Sequence, residues 1–86
     1  MYEIEIAASA VKALRRMQPK TRQRIFDRVK EIAIEPHSNH RNVKPLRGSH
    51  RWRLRVGDWR VIYEIKEDRV VLLVLKIGAR GDVYDH

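Results

Sequence analysis

Four arginines at alternating positions are the residues of this chain best suited to chemistry. They are Arg51, Arg53, Arg55 and Arg60. The stretch from 51 to 65, RWRLRVGDWRVIYEI, alternates apolar and polar side chains on both sides of Gly57-Asp58. This alternation predicts two strands, and a Gly-Asp pair between them predicts a hairpin with a two-residue type II′ turn. In that register all four arginines lie on one face of the hairpin.

The predicted register places Arg55 directly opposite Arg60. Guanidinium groups at that spacing repel each other by about 1 to 3 kcal/mol, depending on how well solvent screens them. A bound phosphate would convert this repulsion into attraction, because guanidinium groups grip phosphate oxygens with paired hydrogen bonds. The pair therefore indicates an anion site. The alternative is a set of solvated arginines on an exposed face.

Positive charge is concentrated around this hairpin. The chain carries a net charge of +8, and residues 41–60 hold seven basic residues against one acid, which is +6. The other sixty-six residues therefore contribute only +2. A localised basic field suits nucleic acid, an acidic protein or an anionic membrane. A membrane is the weakest of these, because the charge lies on strands and a loop rather than on an amphipathic helix.

Composition and length narrow the class of protein. Eighty-six residues suit one domain, spanning 1–86, with a single core. The chain has no cysteine, which excludes disulfides and thiolate metal sites. Glu3 and Glu5 argue against a signal peptide, and no apolar run approaches the ~18 residues of a membrane span. We expect a soluble cytoplasmic protein with no membrane partner.

The first half of the chain predicts a strand and two helices. Residues 2–6 alternate as a short strand, and Ser9 is suited to cap a first helix. Pro19 fits the first turn of a second helix, which Pro36 should end. The predicted core positions of the helices are Val11, Leu14, Met17, Ile25, Phe26, Val29, Ile32 and Ala33. The two helices should form an αα-hairpin.

Residues 36–50 predict a loop, with a short strand near 43–46. Three histidines in it, His37, His40 and His50, match no metal-ligand spacing, so we expect neither a metal nor another cofactor. The fold class is α+β, in which an N-terminal strand and an αα-hairpin precede an antiparallel β-meander packed on the two helices.

The last predicted strand covers residues 70–77, VVLLVLKI, and is apolar on both faces. If Ile65 pairs with Val70, then Leu72, Val74 and Lys76 lie on the core face. The apolar residues left on the arginine side are Ile62, Val71, Leu73 and Leu75. They need a cover, either the chain's own end or a partner.

Two groups of residues carry a resemblance to a known family. They are the segment Gly57-Asp58-Trp59-Arg60-Val61-Ile62-Tyr63, and the pair Ile77-Gly78-Ala79-Arg80 and Asp82-Val83-Tyr84. With the order of elements, they resemble the RelE/ParE toxin superfamily of bacterial and archaeal toxin–antitoxin systems. RelE-like members are ribosome-dependent endoribonucleases that cut mRNA in the decoding site. ParE-like members share the fold and poison DNA gyrase.

The resemblance implies a metal-independent endoribonuclease that inhibits translation. Cleavage would proceed by attack of a ribose 2′-hydroxyl on the adjacent phosphate. The implied catalytic residues are Arg53, Arg55, Arg60, Arg80 and Tyr84. Contacts to mRNA and rRNA on the ribosome are expected from Arg41, Lys44, Arg47 and Arg51. A cognate antitoxin is expected to cover the arginines together with Ile62, Val71, Leu73 and Leu75. The alternatives are a ParE-like inhibitor that cuts nothing and a degenerate toxin that merely binds RNA.

One departure from the family pattern concerns the general base. Well-known RelE-like enzymes have lysines where this chain has Arg53 and Arg55. A guanidinium stays protonated at neutral pH and is a poor base. His86, two residues beyond Tyr84, is therefore a further candidate for the catalytic set. The alternatives are His50 at the start of the strand, a reaction that relies on charge stabilisation and positioning, and a terminal histidine with no role.

Overall fold

Two helices and five strands make up most of residues 1–79, the part of the chain that this computed structural model describes. The helices are α1 (Ala8–Arg15) and α2 (Pro19–Ile34). The strands are β1 (Glu3–Ile6), β2 (Val43–Pro45), β3 (Arg51–Val56), β4 (Trp59–Lys66) and β5 (Val71–Ala79). They form one sheet in the order β1-β5-β4-β3-β2. The predicted α+β class is confirmed.

The strands β2 to β5 form the predicted antiparallel meander, and β1 adds to its far edge, parallel to β5. Both helices bury side chains in one core with the sheet. That core contains Ala10, Met17, Ile25, Val29, Ile32, Leu54, Val56, Val61, Tyr63, Leu72, Val74 and Ile77. Burial raises the pKa of the Tyr63 hydroxyl to about 12, because the apolar core disfavours the phenolate. Because this core lies between the helices and the sheet, the helices cover one face of the sheet.

The hairpin of β3 and β4 has the predicted register in every pair from Val56↔Trp59 to Trp52↔Tyr63. Gly57 has a φ of 60°, and Asp58 is not at positive φ. A positive φ at the first central position alone is the pattern of a type II′ turn, which suits glycine there. The two-residue turn thus sets which side chains share a face.

The predicted register of β4 and β5 is wrong. Ile65 pairs with Leu72 instead of Val70, because residues 67–70 form a four-residue turn. A β-bulge between Ile62 and Tyr63 then shifts the remaining pairs, so that Val61 meets Ile77. Ile77 therefore lies on the core face, where strict alternation predicts Lys76.

Two predicted details of the helices are also wrong. Ser9 does not cap α1, which begins at Ala8 after an Ala7 cap with no side-chain hydrogen bond. The Ala7 N–H instead donates to the Val74 carbonyl at 2.8 Å. This hydrogen bond connects the start of α1 to β5. Phe26 is 36% exposed, and Lys30 Nζ lies 5.2 Å from its ring centroid. Pro19 does occupy the first turn of α2, as predicted.

Within residues 1–79, neither helix has the length and apolar content needed to cross a bilayer.

Candidate functional site

The sheet face opposite the helices carries the four predicted arginines, which we call the arginine face: Arg51, Arg53, Arg55 and Arg60. Arg53 also pairs with Lys44 of β2, so this lysine joins the same face. Directly opposed residues have Cβ atoms about 4.5 to 5.5 Å apart. Two like-charge pairs, Arg53 with Lys44 and Arg55 with Arg60, therefore lie side by side on the sheet.

The side chains of two of these arginines, Arg53 and Arg60, are partly buried. The Nε atoms of both are buried without a hydrogen-bond partner among residues 1–79. Arg60 Nη1 donates to the Asp58 carbonyl at 3.2 Å, which anchors one end of its guanidinium. A buried donor without an acceptor costs about 1 to 3 kcal/mol. An anion would recover that cost if the guanidinium groups turned to present these Nε atoms to it.

Arg51, in contrast, forms an ion pair within the sheet. Its Nε lies 3.2 Å from Glu64 Oε2 on β4, and Lys66 Nζ lies 2.7 Å from Glu64 Oε1. Hydrogen bonds from Lys66 and Arg51 lower the pKa of Glu64 below its ordinary value of 4.5, against the opposing effect of burial. Glu64 thus forms the boundary between the cationic part of the face and the rest of the sheet.

We expect Glu64→Gln to lower the free energy of unfolding at neutral pH by about 0.5 to 1 kcal/mol, the usual size of a partly exposed ion pair. The folded pKa of Glu64 lies below its unfolded value, so its stabilisation is present above pH 4.5 and is lost as pH falls through the folded pKa. Urea denaturation across this range should show parent and variant converging in acid. Asp68→Asn, in an exposed turn, is the control. A pH-independent difference between parent and Glu64→Gln would contradict the assignment.

Arg55 and Arg60 face each other in the register, so the repulsion expected between them is built into the fold. Replacing Arg55 with Gln should raise the melting temperature by about 2 to 4 °C, equivalent to about 0.5 kcal/mol for a domain of this size. The gain should shrink in high salt, which screens exposed charges. Arg47→Gln, in the exposed turn before β3, removes one charge without a facing arginine and serves as the control. A fall in melting temperature for Arg55→Gln would show that no repulsion is stored here.

Sequence reasoning missed Lys76 as a member of this face. The bulge pairs Lys76 with Ile62, whose other neighbour is Arg53, and pairs Arg60 with Gly78. Lys76 and Arg60 are therefore diagonal neighbours on adjacent strands, about 7 to 8 Å apart. No pattern in the chain marks the bulge, so its alternation wrongly assigns this lysine to the core.

Comparison with known proteins agrees with this architecture. The model of the family described as the ParE toxin of the type II toxin–antitoxin system parDE matches residues 4–84. This chain belongs to the RelE/ParE superfamily of toxins. The mRNA interferase toxin RelE of Escherichia coli strain K12 is 21% identical over 85 residues, which cover 96% of this chain and 90% of that protein.

Solved structures of RelE proteins share the toxin's fold. The E. coli RelBE toxin–antitoxin complex aligns with a TM-score of 0.79 at 21% identity, covering 92% of this chain and 96% of the other. The archaeal RelE–RelB complex from Pyrococcus horikoshii aligns with a TM-score of 0.80 at 29% identity, covering 94% and 97%. The resemblance to the RelE/ParE toxin superfamily, seen in the sequence, is confirmed.

The apolar strip predicted to bind the toxin's antitoxin is smaller than expected. Ile62 and Val71 are each only 2% exposed, so they are not open to a partner. Ile62 lies between Arg53 and Lys76, long side chains whose methylene stems shield apolar neighbours. Leu73 and Leu75 remain partly exposed, and Leu75 is the extra residue of the bulge.

The other predicted site residues of the toxin are dispersed. Arg47 is exposed in the turn after β2, and the Arg41 carbonyl accepts a 2.7 Å hydrogen bond from Arg28 Nη2 on α2. The loop histidines make separate contacts, His37 with Glu67 and His40 with the Glu35 carbonyl. Arg80, Tyr84 and His86 lie outside the described residues, so their placement in the site stays a prediction.

Proposed function

We propose that this toxin is a ribosome-dependent endoribonuclease that cleaves mRNA in the ribosomal A site and thereby inhibits translation. The observation that carries the proposal is the pair of like-charge contacts on the arginine face, Arg53 with Lys44 and Arg55 with Arg60, which lie side by side on the sheet. A phosphate suits such a face, because guanidinium groups bind its oxygens with paired hydrogen bonds. The relatives from E. coli and Shigella flexneri bear the name mRNA interferase, which supports RNA as the substrate.

In the proposed reaction the 2′-oxygen of a ribose forms a bond to the adjacent phosphorus, and the bond to the 5′-oxygen of the next nucleotide breaks. The products are a cyclic phosphate and a free 5′-hydroxyl. Arg53, Arg55 and Arg60 would bind the phosphate oxygens and stabilise the extra negative charge of the phosphorane. Tyr84 would stack on a base and hold the nucleotide in line for attack, and Arg80 would add a further charge.

Proton transfer falls to side chains other than the arginines, which stay protonated at neutral pH. Lys76 is suited to give a proton to the leaving 5′-oxygen, because it is the diagonal neighbour of Arg60 on the same face. His86 would accept the proton of the 2′-hydroxyl. The reaction therefore needs no metal in this proposal.

The proposed regulator is a cognate antitoxin in the cytoplasm, where the ribosomes are. RelE proteins of E. coli and P. horikoshii are known in complex with RelB, which supports such a partner. An antitoxin segment with acidic residues over the arginine face and apolar anchors at Leu73 and Leu75 fits the exposed surface. Leu73 pairs with Glu64 and Glu5, so the apolar anchors would lie on the acidic side of the sheet.

The test is primer extension on an mRNA incubated with the toxin, with and without translating ribosomes. We expect cuts within codons only when ribosomes are present. Cuts without ribosomes would contradict the ribosome dependence, and no cuts in either sample would contradict the nuclease.

A second candidate function is favoured by the family match, which carries the name ParE. In this reading the toxin binds DNA gyrase and cleaves nothing. A supercoiling assay with purified gyrase separates the two: inhibition of supercoiling, together with intact mRNA on ribosomes, would select the ParE-like function.

A further inference from the structure

A second cationic site lies around the edge of the sheet from the arginine face. It is a cleft of about 350 Å³ between α2, the turn before β2 and the β3–β4 turn. Its charged lining residues are Arg24, Asp27, Arg28, Arg41 and Arg55. This volume is at the small end of the range for ligand sites, about 300 to 1,000 Å³. Arg55 belongs both to this cleft and to the arginine face.

The walls of the cleft are held together by hydrogen bonds. Arg28 lies one turn after Arg24 on α2, and its Nη2 donates to the Arg41 carbonyl at 2.7 Å. The Arg55 N–H donates to the Asn42 carbonyl at 2.9 Å, which ties β3 to the same turn. Helix, turn and strand are thus fixed relative to one another. The cleft is part of the folded framework.

The lining of the cleft carries a net charge of +3, from four arginines and Asp27. Asp27 accepts from Gln23 Nε2 at 2.8 Å and lies 3.7 Å from Lys30 Nζ, and Arg28 pairs with Glu31 at 3.1 Å. The side chains of Arg24, Arg41 and Arg55 make no ion pair or hydrogen bond within residues 1–79. Three arginines whose side chains have no partner within residues 1–79 therefore line one cleft.

We propose that this cleft binds a second phosphate of the RNA strand whose scissile phosphate lies on the arginine face. The proposal rests on the proposed function and adds a path for the strand: past Arg55, over the sheet edge and onto α2. Guanidinium forks match phosphate oxygens. Arginine clusters also recognise acidic peptides, but an apolar anchor of such a peptide would find little to contact, because Val56, the apolar side chain that lines the cleft, is only 7% exposed.

The test uses 2′-O-methyl RNA, which lacks the attacking hydroxyl, so binding is measured separately from cleavage. Fluorescence anisotropy would compare strands of about four and about twelve nucleotides, since only the longer can reach both sites. The variants are Arg24→Gln and Arg41→Gln. Arg16→Gln is the control, because it removes one exposed arginine at the end of α1, which contributes nothing to this cleft. Circular dichroism checks the fold of each.

We expect each cleft variant to weaken binding of the longer strand by about threefold to tenfold at about 50 mM salt. The slope of log K against log salt should fall by about 0.7 for each lost phosphate contact. The shorter strand should lose no more affinity than it does with Arg16→Gln. Cleft variants that match Arg16→Gln on the longer strand, or an equal loss on both strands, would overturn the proposal.

A polyglutamate of matched charge provides the remaining comparison. If Arg24→Gln and Arg41→Gln weaken polyglutamate binding but leave RNA binding intact, the cleft serves an acidic protein and the RNA proposal is wrong. The proposed nuclease function is tested independently, because the parent protein either cuts mRNA on ribosomes or does not, whatever binds in the cleft.

Discussion

Arg60→Ala slows mRNA cleavage by about 10²- to 10³-fold and leaves the protein folded, if the proposed nuclease function is correct. Removing one donor to the charge that develops in a transition state typically costs about 10²- to 10³-fold in rate. Arg60 is suited to that role because its Nη1 is anchored on the Asp58 carbonyl and it lies on the arginine face directly opposite Arg55. Single-turnover cleavage on programmed ribosomes measures the effect.

The fold should tolerate this change. Arg60 contributes one hydrogen bond to the β3–β4 turn, and its loss also removes the repulsion with Arg55. Arg60→Lys is the matched variant: it keeps the charge but loses the guanidinium fork, so we expect activity between parent and alanine. Loss of the circular dichroism signal in Arg60→Ala would show a structural role, and full activity would remove Arg60 from the site. The same experiment on Arg80→Ala tests the residue that the family resemblance adds.

Leu54→Ala should cause the largest loss of stability among single changes near the site. Leu54 is fully buried on β3 between its cross-strand neighbours Val43 and Val61, on the face of the strand opposite to Arg53 and Arg55. Truncating a buried leucine typically costs about 2 to 5 kcal/mol, from lost burial and the cavity left behind. A small domain has only about 5 to 15 kcal/mol in total. Urea denaturation measures the change.

Val43→Ala provides the comparison for this prediction. Val43 is only partly buried and lies on the short edge strand β2, so its truncation should cost clearly less than that of Leu54. A cost below about 1 kcal/mol for Leu54→Ala would be unusual for a buried leucine and would show that the core repacks around the change.

The arginine face could be predicted from the sequence because its geometry is local. A two-residue turn at Gly57-Asp58 allows one register for the strands beside it, and a period of two then assigns every side chain to a face. The pairing of Arg55 with Arg60 follows from these two facts alone. The positions of the helices were predictable for the same reason, since Pro19 and the apolar spacing act within a few turns.

Tertiary structure decided what depends on contacts between distant segments. The bulge in β5 moved Lys76 onto the arginine face and Ile77 into the core, whereas the four-residue turn shifted the register by two residues and left each side chain on its face. The burial of Ile62 depends on its neighbours across two strands, which no local pattern contains. The cationic cleft joins α2 to a turn and a hairpin that lie far apart in the chain. Alternation along a strand assigns faces only until one extra residue shifts the register, and side chains from separate segments meet only once the core has packed them together.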